Sequence, residues 1–75
     1  MSALIRATWR DAPGGARPVR VWARRRRPAP GQTDVLIAWR DQDGAEVARW
    51  VPVGETQLNG RLRDVPRYRP GTSAS

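Results

Sequence analysis

The sequence predicts a small all-β domain. Three observations carry that expectation. Short runs alternate apolar and polar residues, the period of a half-buried strand. Gly, Pro, Asn and Asp clusters punctuate the runs about every 8–12 residues, as in small sandwiches and barrels. One pair of β-rich runs flanks a turn with a readable type.

The first element is a short strand within residues 3–10, placing Ile5, Ala7 and Trp9 on one face. Asp11-Ala12-Pro13-Gly14-Gly15 then breaks regular structure. Residues 18–24 alternate more clearly. Val19, Val21 and Ala23 fall on one face; Arg20, Trp22 and Arg24 fall on the other. Pro18 suits the first position of a strand. Arg24, Arg25, Arg26 and Arg27 lead into Pro28-Ala29-Pro30-Gly31. Four adjacent cations repel and the prolines refuse a helix, so an exposed loop is expected.

Residues 34–40 and 45–53 form the clearest unit. Asp41-Gln42-Asp43-Gly44 between them reads as a type I turn with Gly44 left-handed. The Asp41 carboxylate suits the first turn position, where it accepts backbone N–H groups. This register pairs Arg40 with Glu46, Trp39 with Val47, Leu36 with Trp50 and Val35 with Val51. It puts opposite charges across from each other and β-branched residues beside Trp39. One face then holds Val35, Ile37, Trp39, Val47 and Val51. Arg49 interrupts that face and there requires a partner. Trp39 and Trp50 are assigned to packing.

Residues 54–65 carry two signals. Leu58, Leu62 and Val65 have helical spacing, with Thr56 as a cap, while Asn59-Gly60 is a hairpin signal. A tight turn between short strands is preferred. The expected architecture is an SH3-like or Tudor-like barrel of four to five strands over residues 1–65, with one short helical turn allowed. Residues 66–75 read as a flexible basic tail.

Composition bounds the function. The chain has 75 residues, of which 14 are basic and 7 acidic, for a net charge of +7. That length makes one domain with a thin core. Every basic residue is Arg, and Cys and His are absent. Disulfides, thiol catalysis, Cys/His zinc sites and a histidine base are therefore excluded. Phosphate-loop, nucleophile-elbow and dinucleotide signatures are missing. The carboxylates are scattered, and turn chemistry explains Asp41 and Asp43. No enzyme activity, cofactor or metal is expected. Half the chain is Gly, Ala, Arg or Pro, all with GC-rich codons, so Arg in place of Lys reads mainly as genome bias.

The placement of the charge says more. Residues 17–27 carry +6, residues 28–60 carry −3 and residues 61–75 carry +3. A basic strand interleaved with an aromatic points to nucleic acid, DNA or RNA. The expected contacts are Arg20, Trp22 and Arg24–Arg27, with Arg61, Arg63, Arg67, Tyr68 and Arg69 as a second patch. Trp22 either stacks on a base or packs in a core closed on both faces. The second reading is a protein-interaction module, an assembly subunit or small inhibitor, pairing through its charge-segregated faces with a partner or with itself. Membrane binding lacks its amphipathic helix. Neither a signal peptide nor an apolar span is visible, so a soluble, cytoplasmic protein is expected.

Overall fold

A computed structural model describes residues 5–27 and 31–68. Residues 69–75 of the predicted tail, Arg69 included, and residues 28–30 of the predicted loop lie outside them. The strands are β1 (Ile5–Trp9), β2 (Arg17–Arg26), β3 (Thr33–Arg40), β4 (Glu46–Pro52) and β5 (Thr56–Leu58). They form one antiparallel sheet in the order β4-β3-β2-β1-β5. A 3-10 turn at Val53–Glu55 separates β4 from β5, and a second spans Leu62–Asp64. The protein is all-β, consistent with a small SH3-like barrel. Among the described residues no helix is long and apolar enough to cross a membrane.

The alternation read from the sequence builds the core. Ala7 and Trp9 of β1 and Val19 and Val21 of β2 are buried together. Val35, Ile37 and Val51 join them from β3 and β4. Ile37 and Val35 are fully buried, the signature of a central strand covered on its inner face. Val65 arrives from beyond the second 3-10 turn and is 2% exposed. A core this small leaves little apolar area unused, so the irregular C-terminal segment contributes directly to it.

The β3–β4 hairpin has the expected register, from Arg40↔Glu46 through Trp39↔Val47 and Leu36↔Trp50 to Val35↔Val51. The turn is also as read. Asp41 Oδ1 accepts from the amides of Asp43 at 2.9 Å and Ala45 at 3.0 Å. Gly44 has φ +81°. The facing Arg40 and Glu46 nonetheless make no ion pair: Arg40 Nη1 donates to the Gly44 carbonyl at 3.4 Å. Arg49 finds its partner on the apolar face, lying 5.5 Å from the centre of the Trp9 ring.

Two expectations are corrected. The Arg24–Arg27 run is not a free loop: β2 continues through Arg26, paired with β3 as far as Arg26↔Thr33. Repulsion among its cations is offset by the buried Asp34, which faces Arg25 across the strands. The Asn59-Gly60 pair does not close a hairpin between two strands either. It follows the single strand β5, which pairs with β1 instead. The Asn59 amide donates to the Arg6 carbonyl at 2.8 Å. Leu58 and Leu62 pack on the core through this path without an α-helix, Leu62 from the second 3-10 turn. Thr56 starts no helix; it closes the first 3-10 turn as its C-cap, and its hydroxyl donates to the Val53 carbonyl at 2.9 Å.

Candidate nucleic-acid interface

A β-bulge in β2 sorts the basic residues. Val21 pairs with Ile37, but Ala23 pairs with Leu36, so Trp22 is the extra residue. A bulge shifts the alternation of the strand that carries it. Up to the bulge, Arg20 and Trp22 are exposed between buried neighbours. Beyond it, Arg24 pairs with the core residue Val35 and leaves the outward row. Periodicity alone puts Arg24 beside Arg20 and Trp22.

Arg24 is a bolt for the C-terminal segment. Its Nε donates to the Val65 carbonyl at 2.8 Å. Its amide donates to the Pro66 carbonyl at 2.9 Å, and its carbonyl accepts from the Tyr68 amide at 2.8 Å. Arg67 thus forms a parallel bridge with Arg24.

Arg25 and Arg27, two residues apart on one side of the strand, converge on Asp34. Arg27 Nε lies 2.7 Å from Asp34 Oδ1 and 2.8 Å from Oδ2. Arg25 Nε lies 3.6 Å from Oδ2. Arg27 Nη1 also reaches Gln32 at 3.4 Å. The Arg25 guanidinium sits 4.2 Å from the Trp50 ring centre, and Tyr68 meets that ring edge-on at 5.2 Å. These interactions make three of the four adjacent arginines structural.

The outward surface of β1 and β2 is different. Arg6 and Arg20 face each other directly across the two strands. Both are exposed, and neither guanidinium has a hydrogen-bond or ion-pair partner among the described residues. Beside them the Pro13–Ala16 loop walls a groove of about 600 Å³. Arg6, Arg17, Arg20 and Arg40 line it, against the single carboxylate Glu46. Its floor includes the small residue Ala38, paired with Arg20. Gly14 and Gly15 let the wall turn, with φ of +82° and +118°. Trp22, 42% exposed, follows Arg20 on the same strand.

The structure therefore keeps Arg20 and Trp22 together and separates Arg24, Arg25 and Arg27 from them. Arg26 is exposed at the end of β2. Arg61, Arg63, Arg67 and Tyr68 are exposed near the second 3-10 turn and the Arg24 bridge. Arg6, Arg17 and Arg40 are not among the expected contacts: Arg6 lies outside the basic segment, Arg17 opens it ahead of the alternating run, and the hairpin register assigns Arg40 to Glu46. The β1–β2 register is the signal that finds Arg6. Among the described residues no cluster of three carboxylates is placed to hold a metal ion. Among protein-family models, curated proteins and solved structures, none matches this chain.

Proposed function

We propose that this chain is a non-enzymatic, cytoplasmic nucleic-acid-binding β-barrel that holds phosphates on the outward surface of β1 and β2. The observation that carries this reading is the direct opposition of Arg6 and Arg20. Like charges at facing positions of a sheet destabilise it. A bound polyanion converts that repulsion into attraction and releases counterions from its own backbone. Arg40 and Arg17 extend the same positive field around the groove, which has one acid to oppose them. A cleft lined by one sign of charge concentrates its counter-ion and speeds encounter.

The test is a salt titration of binding to short oligonucleotides. Affinity should fall linearly on a log–log plot. Arg6→Gln with Arg20→Gln should flatten that slope by about 0.7–0.9 for each phosphate that is no longer neutralised. A flat response in the unaltered protein overturns the reading.

One observation favours a protein partner instead: β4 is an edge strand, hydrogen-bonded only to β3 among the described residues. Exposed edges pair with added strands. A salt-sensitive oligomer that ignores oligonucleotides in sedimentation would select this second reading.

A further inference from the structure

We infer that the partner is single-stranded nucleic acid, with phosphates on Arg6 and Arg20 and an unpaired base stacked on Trp22. The inference rests on the nucleic-acid reading above and names the form of the ligand. Trp22 is the bulge residue of β2 and is 42% exposed. An exposed indole two residues from a phosphate-binding arginine lies about 6.6 Å along the strand from it. That is the arrangement of a stacking platform beside an electrostatic track, and it is indifferent to sequence because every base has a π-face. In a duplex the bases already stack on each other, so Trp22 would have to intercalate and unstack a step.

The arginine run does not rescue duplex binding. A minor-groove arm needs free guanidinium groups. Arg24 is committed to the Val65 carbonyl, and Arg25 and Arg27 to Asp34. The groove of about 600 Å³ is itself of small-ligand size, suited to a short stretch of one strand.

The experiment compares labelled oligothymidylate, oligouridylate and a duplex of equal length by fluorescence anisotropy, with thermal melts of every variant. Tighter binding to the single strands is expected. Trp22→Ala should weaken that binding by about tenfold or more, and Trp22→Phe much less. Binding to the duplex should not change in either variant. Should Trp22→Ala fail to fold, quenching decides: oligothymidylate should quench the unaltered protein more than Trp22→Phe. The DNA and RNA arms show which single strand is preferred, and preference for either supports the inference. Equal affinity for duplex and single strands, with no weakening or quench difference at Trp22, overturns it while leaving the nucleic-acid reading intact. Failure to bind any oligonucleotide overturns both.

Discussion

Asp34 is 1% exposed, and the Arg27 Nε sits almost equally close to both of its carboxylate oxygens, at 2.7 and 2.8 Å. A carboxylate at this depth is costly unless it is paired. Its partners are different, because the Arg25 and Arg27 side chains are 47% and 42% exposed and can turn to water.

That asymmetry predicts a non-additive cycle. Arg27→Ala leaves the buried carboxylate poorly compensated and should destabilise the fold by about 2–4 kcal/mol. Adding Asp34→Ala to that variant removes the stranded charge and should recover part of the stability. Urea denaturation of the two single variants and the double variant checks this. Strict additivity would show that the pair is not coupled.

The β3–β4 turn should be sensitive at Gly44. With φ +81°, Gly44→Ala places a Cβ in the left-handed region at a cost of about 1–2 kcal/mol. Open space surrounds the position, so conformation alone sets the penalty. Asp41→Ala removes the acceptor of two backbone amides and should cost about 0.5–2 kcal/mol. Thermal melts of both variants should show lower midpoints than the unaltered protein.

Arg6 and Arg20 should respond in opposite senses to stability and binding assays. Either one changed to Gln relieves a like-charge pair, so stability should hold or rise by a few tenths of a kcal/mol. Oligonucleotide affinity should fall at low salt in the same variants. A destabilisation as large as that of Arg27→Ala would mean these arginines are structural.

Tyr68 should anchor the C-terminal segment through Trp50. Their edge-to-face packing at 5.2 Å is worth about 0.5–1.5 kcal/mol beyond buried area. Tyr68→Ala should therefore lower stability and speed hydrogen exchange of the Arg24 amide, which donates to Pro66. Unchanged exchange would mean that the backbone bridge holds without the aromatic pair.

The hairpin register and turn were legible because they depend on neighbours in sequence. Asp41 and Gly44 have few conformational options, and facing residues follow by counting outward from them. The inner face of β1 and β2 was legible for the same reason: Ile5, Ala7 and Trp9, like Val19 and Val21, alternate without interruption. The bulge at Trp22 has no comparable local mark. It moved Arg24 out of the outward row and left Trp22 on the surface.

The sequence by itself determined an all-β chain, the β3–β4 hairpin and a basic surface including Arg20. These follow from strand periodicity, turn chemistry and charge, which act over a few residues. Only the tertiary structure decided which arginines are free. Val65 lies 41 residues from the Arg24 it holds and Trp50 is two strands on from Arg25, while Asp34, only seven residues from Arg27, reaches it through the β2–β3 pairing. Arg6 meets Arg20 only because β1 and β2 pair. A guanidinium bound to a buried carboxylate or a backbone carbonyl has little capacity left for a phosphate, and those partners are set by packing rather than by sequence spacing.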